Sequence, residues 1–534
     1  MKLIDLPYSS RRLPAIARRS MVATSQPQAV LAGLSMLERG GNAVDAAIAA
    51  AAMLTVVEPT SNGIGSDAFA LVWDGRSLHG LNGSGRAPQA ISLETMLQAG
   101  YETMPAYGWP SVTVPGAPRA WRDLHQRFGR LDFEEVLMPA ISAAEDGFAV
   151  TPIVAHYWNL ALRRYEAMTD PATSAWLNTF SYRGRAPSTG DMWRSRRQAR
   201  TLRRIAQTGA DDFYQGELAT QIVEWAQKTG GFISAADLAH HTSTWVEPIS
   251  TSYRGYQVWE IPPNGQGLAA LMALNILEGF DLSHNARDTI QSYHLQIEAM
   301  KLAFADAHRY IADPEHVEVP TKALLSKRYA ASRRSLIGDY AIEPQHGELP
   351  KGGTVYLCAV DGDGMMVSFI QSNYMGFGSG VVVPETGIAL QNRGANFSLD
   401  PQHPNVLAPN KRPFHTIIPS FLTRDGEAVG PFGVMGGAMQ PQGHAQMILN
   451  RVDWQLNPQA SLDAPRWQVG AGRKVFLEYG VPQFIAEGLR ALGHEVEIHA
   501  EGGMFGRGQI IWRLPNGSLM GGSDMRADGC ALGF

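Results

Sequence analysis

The chain has 534 residues, 45 % hydrophobic, 18 % charged and 9 % aromatic, enough for two to four average domains and a large buried core. A formal net charge of −5 excludes a basic field for nucleic acid or an acidic membrane face, and the composition excludes disorder. Two cysteines, Cys358 and Cys530, with no CxxC pair, exclude a disulfide framework and a zinc or redox thiol pair.

Residues 1–7 place Asp5 and Pro7 where a secretory signal needs an unbroken apolar core. The longest largely apolar run, residues 46–57, is too short to cross a bilayer, so the expectation is a soluble cytoplasmic protein. Ser25-Gln26-Pro27-Gln28 has capping-box spacing and opens a helix that runs through Leu37. Gly40-Gly41 stops it, and Asn42 with Asp45 three residues on caps a second, Ala-rich helix; both are expected to lie against a sheet. The chain up to about residue 320 reads as mainly helical, with the clearest apolar periodicity over residues 294–304, ending before Asp313-Pro314. Residues 320–353 lose that period, collect Pro, Gly and charge, and read as a linker ending in Gly352-Gly353. Beyond it the pattern turns to strand at residues 354–360, a turn at Asp361-Gly362-Asp363-Gly364, and strand again from Met365 to Ile370.

Several familiar chemistries are missing: there is no GxSxG elbow, no Walker loop and no HExxH. Gly376-Phe377-Gly378-Ser379-Gly380 opens onto Val381-Val382-Val383, a strand rather than a helix, which disfavours a dinucleotide site. His240 and His241 are adjacent, so their side chains diverge and read as a solvated face, not a metal pair. No cofactor and no metal are expected. Gly353-Thr354 stands apart. A Thr that opens a strand behind a flexible Gly-Gly linker can attack its own preceding carbonyl and be released by water. The new α-amine, with a reference pKa of roughly 8, then sits beside the hydroxyl as a usable base. On composition alone, an ordinary strand-opening Thr is the competing reading.

Gly40-Gly41-Asn42-Ala43-Val44-Asp45-Ala46-Ala47, Pro139-Ala140-Ile141, Pro262-Pro263-Asn264-Gly265-Gln266-Gly267, Asn410-Lys411-Arg412-Pro413, Pro465-Arg466, and Gly522-Ser523-Asp524 with Arg526-Ala527-Asp528-Gly529 together resemble the γ-glutamyltranspeptidase family. The motifs occur in family order from about residue 20 to the C-terminus. The resemblance implies an N-terminal-nucleophile (Ntn) hydrolase of the α+β class: an αββα sandwich of two stacked, mainly antiparallel sheets flanked by helices. It also implies a precursor cut into associated subunits, here 1–353 and 354–534, with Gly353 and Thr354 flanking the cut. A dimer of such heterodimers follows by the same analogy. Carried over by position, Thr354 is the nucleophile, Gly436 and Gly437 form the oxyanion hole, and Asn373 helps hold substrate and nucleophile. Two converging amide donors of that kind are worth roughly 3–4 kcal/mol in a transition state, and glycine permits the close approach.

Departures from the family pattern bear on substrate. Where transpeptidases hold an α-amine with acidic or amide side chains, this chain has Arg393 and Asn396; the paired Ser residues become His415 and Thr416. The family's carboxylate-gripping Arg is replaced by Ser84, with Arg86 two residues on, and its second hydrogen-bonding Thr falls at Gln371. A guanidinium repels an ammonium and grips a carboxylate. The expectation is a small substrate with a carboxylate and no α-amine, clamped by Arg86 and Arg393 with Asn396, His415 and Thr416 nearby. A local ion pair is the competing reading for either Arg, and Cys358 reads as a buried small residue. The chain looks most like the family's oxamate amidohydrolase branch, so oxamate hydrolysis to oxalate and ammonia, in purine catabolism, is the leading reaction. A γ-glutamyl hydrolase or transpeptidase and a non-catalytic scaffold are the alternatives. Residues 158–204, rich in Arg and aromatics, carry no motif that reads.

Overall fold

A computed structural model describes residues 12–344 and 353–534. The segment 1–7 and residues 345–352 of the linker lie outside the described residues. The first helix, Pro27–Glu38, starts with Pro at its first turn, where a missing N–H costs nothing. Its cap is Gln26 without a side-chain bond, because Ser25 Oγ donates to Glu58 instead, at 2.5 Å. The second, Ala43–Val57, carries the expected reciprocal box: Asn42 Oδ1 accepts from the Val44 and Asp45 amides, and Asp45 accepts from the Asn42 amide at 2.9 Å. All fifteen of its residues are buried, so a second polar face is not needed.

Two seven-stranded sheets follow from the β-rich end of the chain closing on its beginning. One has the order Cys530–Gly533, Met21–Thr24, Gly353–Val360, Met366–Tyr374, Asp67–Trp73, Leu78–Gly83, Thr244–Val246. The other runs Ala15–Ala17, Leu519–Ser523, Arg507–Arg513, Glu427–Met435, Ser420–Arg424, Tyr256–Glu260, Ile249–Tyr253. Every pairing in both is antiparallel. Period-two alternation splits the strand Gly353–Val360 between two cores: Val355, Leu357 and Ala359 face helices Pro27–Glu38 and Ala43–Val57, whereas Tyr356, Cys358 and Val360 face the opposite sheet. Helices Gly267–Leu277, Ile290–Tyr310 and Met439–Val452 cover the far side of the second sheet. The layers are therefore αββα.

The middle of the chain is mainly helical, with residues 244–260 adding three strands, whose alternation is broken by Pro248 and the turn at Arg254-Gly255. The stretch after residue 320 is not all linker, since Thr321–Leu324 and Lys327–Arg334 are helical. The helix over residues 294–304 extends to Ile290–Tyr310 and stops short of Asp313-Pro314. No helix among the described residues is long and apolar enough to cross a membrane.

Candidate active site

Thr354 is the second residue of the strand Gly353–Val360 and is 1 % exposed. Its Oγ donates to Ser372 Oγ at 3.2 Å across the hairpin. The register slips by one between Gly353 and Val355, so Ser372 and Asn373 together oppose Thr354. Gln371, the position the family pattern pointed to, faces the helical layer: its Oε1 accepts from Trp121 Nε1 and its Nε2 donates to Asn62 Oδ1. Counting back from the Val360–Met366 pair would have placed residue 372, not 371, across from Thr354. Asn373 is turned toward the 61–66 turn, where Oδ1 accepts from Ser66 Oγ at 2.8 Å and Nδ2 lies against Gly63 without a hydrogen-bond partner.

Gly436 and Gly437 join the strand Glu427–Met435 to the helix Met439–Val452 at φ of 131° and 63°, a region where side chains are strained. Their carbonyls accept from the Met439 and Gln440 amides, and among the described residues their own N–H groups have no partner. Two unused amides at the N-terminus of a fourteen-residue helix suit a developing oxyanion. Gly433 packs on the Tyr356 ring, which brings this strand over the Thr354 strand. Behind the glycines, Gly506 stands 3.1 Å from where a Gly436 Cβ would be. Arg466 holds that loop by donating to the Phe505 and Gly506 carbonyls and to Asp524 at 2.6 Å. Arg466 and Arg526 outweigh burial at Asp524 and hold its carboxyl down at about 2, so the buried network stays charged.

Arg393 opens a short 3₁₀ turn, Arg393–Asn396, and is completely buried. Its Nη1 donates to Thr416 Oγ1 at 2.5 Å and its guanidinium lies 4.7 Å from the Tyr374 ring centroid. Nε and Nη2 have no hydrogen-bond partner. Tyr374 pairs with Gly353, which places this cation next to the nucleophile's strand. Asn396, three residues on and eclipsed with Arg393 in such a turn, has an unpartnered buried Nδ2. Gln266 ties the pocket to the glycines by donating to the Thr416 carbonyl at 2.6 Å and the Gly437 carbonyl at 2.9 Å.

Asp67, paired with Ser372 in the sheet, is a group the sequence reading missed. Burial pushes its carboxyl up to about 7, against the pull of Arg393 and the amides of Gly85 and Gly116. His415 Nε2 lies 3.1 Å from Asp67 Oδ2, while Nδ1 accepts from the Ile417 amide, which assigns the proton to Nε2. Burial, reinforced by Arg393, holds the His415 ring far below its ordinary pKa and therefore neutral. Arg86 does not join these groups: it is occupied by Glu315 at 2.7 Å, Asp313 at 3.4 Å and the Asn410 carbonyl. Ser84, buried beside it, donates to Asn82 Oδ1.

His241 is buried and stacked on Tyr214, not solvated as its sequence suggested. Burial also drives the Cys358 thiol upward, away from reactivity. Among the described residues, His294, Glu298 and His494 could together hold a metal ion. The Lys301 ammonium already stands 2.5 Å from the Glu298 carboxylate, so the cluster carries its own cation.

A buried Thr near the head of a central strand of an αββα sandwich, with a neighbouring strand of the opposite sheet ending in two glycines whose amides are unused among the described residues, is the arrangement expected of an Ntn-type amidohydrolase. The chain matches the Gamma-glutamyltranspeptidase family over residues 29–534 and belongs to it. It is 35 % identical to an oxamate amidohydrolase proenzyme of Klebsiella pneumoniae, over 97 % of this chain and 99 % of that one. It is 36 % identical, at the same coverage, to a glutathione hydrolase-like proenzyme of Bacillus subtilis. The structure superposes on a cephalosporin acylase from Bacillus halodurans with a TM-score of 0.96 and 55 % identity, over 99 % and 98 % of the two chains. The enzyme is thus an autoprocessed hydrolase of linear amides, made as a proenzyme.

Proposed function

We propose that the cleaved enzyme hydrolyses the amide of a small substrate whose acyl side carries a carboxylate, with oxamate the smallest compound that qualifies. The supporting observation is Arg393: a completely buried guanidinium with two nitrogens, Nε and Nη2, free of hydrogen-bond partners, beside the nucleophile's strand. A buried guanidinium whose acid neighbour, Asp67, is itself pushed toward the neutral form by burial is costly, and a planar carboxylate meets its fork. Similarity to the Klebsiella pneumoniae oxamate amidohydrolase supports the same reading.

In this reading the bond between Gly353 and Thr354 is cut, leaving a 353-residue and a 181-residue subunit associated. Thr354 Oγ attacks the amide carbon while its own α-amine takes the hydroxyl proton. Gly436 and Gly437 bind the oxyanion, Ser372 orients the hydroxyl, and Arg393 with Thr416 holds the distal carboxylate. The C–N bond breaks as the proton passes to the departing nitrogen, and water then hydrolyses the ester.

Purified, self-cleaved enzyme assayed with oxamate and with γ-glutamyl-p-nitroanilide separates this from a γ-glutamyl hydrolase. Ammonia from oxamate without nitroaniline release is expected; the reverse result overturns the proposal. Thr354→Ala should abolish both turnover and the two-band pattern on a denaturing gel.

A further inference from the structure

Residues 158–204, which carried no legible motif, contain ten arginines and three acids, a net of +7 in a chain of −5. The helix that leads into them, Pro152–Glu166, puts Tyr157, Leu160, Ala161, Arg164 and Tyr165 on one face. That face walls a cavity of about 480 Å³ that Met435 and Gly436, the start of the candidate oxyanion turn, also line. Asp528 fixes the helix in place by accepting from the Ile153 and Val154 amides.

Two guanidinium groups face this space. Arg507 is 6 % exposed, lies 4.5 Å from the Tyr157 ring centroid, and has a buried Nε without a partner. Its nearest acid, Glu58, is 3.8 Å away and is itself pushed toward the neutral form by burial. Arg164 stands at the exposed rim over Tyr107 and makes no ion pair among the described residues. Ammonia, a single heavy atom, would use none of this.

We propose that the preferred substrate, processed as above through Thr354, releases an aromatic amine bearing an anionic group: its ring lies among Tyr107, Tyr157 and Tyr165, and its anion meets Arg164 and Arg507. The inference rests on the proposed acyl-enzyme reading and extends it to the leaving side. Aromatic faces bind both rings and guanidinium groups, and a cavity of this size suits a drug-sized fragment. Several arginines of this stretch are already paired with acids outside it, Arg197 and Arg200 with Glu385, Arg203 with Glu145 and Arg204 with Asp212 and Glu217, so the attraction for an anion falls to Arg164 and Arg507, an effect that salt screens. Balance is kept without a further reactant: the C–N bond breaks, the Thr354 hydroxyl proton leaves on the nitrogen as a neutral amine, and one water completes the hydrolysis.

The test uses the full-length, self-cleaved enzyme with oxamate, N-(4-carbamoylphenyl)oxamate and N-(4-carboxyphenyl)oxamate, and with the three corresponding glutaryl amides. The two aryl amines have similar size, so their ratio reports charge. Within the acyl series that turns over, kcat/KM should be about tenfold higher for the carboxyphenyl than for the carbamoylphenyl compound, and the ratio should shrink in 0.5 M salt. Arg164→Gln should bring the ratio close to one and Arg164→Lys should restore part of it, with both subunits still visible on a gel. A faster primary amide, or a ratio near one in the wild-type enzyme, overturns this inference alone. An unchanged ratio in Arg164→Gln does the same. Turnover of neither acyl series overturns the acyl-enzyme reading and this inference with it.

Discussion

Arg393 and Arg86 are both guanidinium groups that the sequence offered as carboxylate clamps, and the fold treats them oppositely. Arg393 is completely buried: Tyr374 lies under the cation, Thr416 takes one N–H of Nη1, and Nε and Nη2 have no hydrogen-bond partner. Around Arg86 the partners are already present, because Asp313 and Glu315 from the loop after helix Ile290–Tyr310 reach its fork. The contrast shows that an arginine's availability is set by which acids the chain brings near it.

Removing Arg393 should have the largest effect of the substitutions that probe this contrast. Arg393→Met is expected to lower kcat/KM for the carboxylate substrate by about 100-fold, and Arg393→Lys should not rescue it, because an ammonium cannot match the fork. Loss of less than threefold would mean the carboxylate binds elsewhere. Ser372→Ala should cost about tenfold in kcat with little change in KM, the worth of one neutral hydrogen bond to the nucleophile. A fall in KM-dependent terms alone would assign Ser372 to substrate instead.

A third comparison is pH. With the Asp67 carboxyl raised to about 7, it is neutral below that value and anionic above it. The anion would compete with substrate for Arg393, so KM should rise as pH passes through about 7, while kcat follows the free α-amine toward roughly pH 8. Asp67→Asn should flatten the KM profile and leave the kcat limb. The same upward shift makes ionisation of Asp67 cost stability, so its contribution is present in acid and is lost as pH rises through about 7. The smallest effect is expected at the other arginine: Arg86→Met should change kcat/KM by less than about threefold and stability by no more than about 1 kcal/mol. A large KM effect there would reverse the assignment of the two residues.

The second helix, the hairpin around residues 361–364 and the strand-opening Thr354 were legible because their signals are local: a capping box, a turn, an alternation of apolar residues. The three strands between residues 244 and 260 were not, since they are short and owe their pairing to partners more than 150 residues away as well as to each other. Ser372 could have been found by counting the hairpin register, whereas Asp67 had no local signal. Its neighbours His415, Arg393 and Gly116 come from three separate stretches of chain.

By itself the sequence marked the second helix, the hairpin at 361–364 and a strand-opening Thr354, because caps, turns and apolar alternation are written in neighbouring positions, while the layer architecture and the Gly436-Gly437 pair were implied by the family resemblance. Only the tertiary structure decided which guanidinium stays unpaired, which hydroxyl meets Thr354 and what walls the cavity beside Gly436. Those properties depend on distance and on exclusion of water, and residues far apart in the chain acquire both only when the two sheets close on each other.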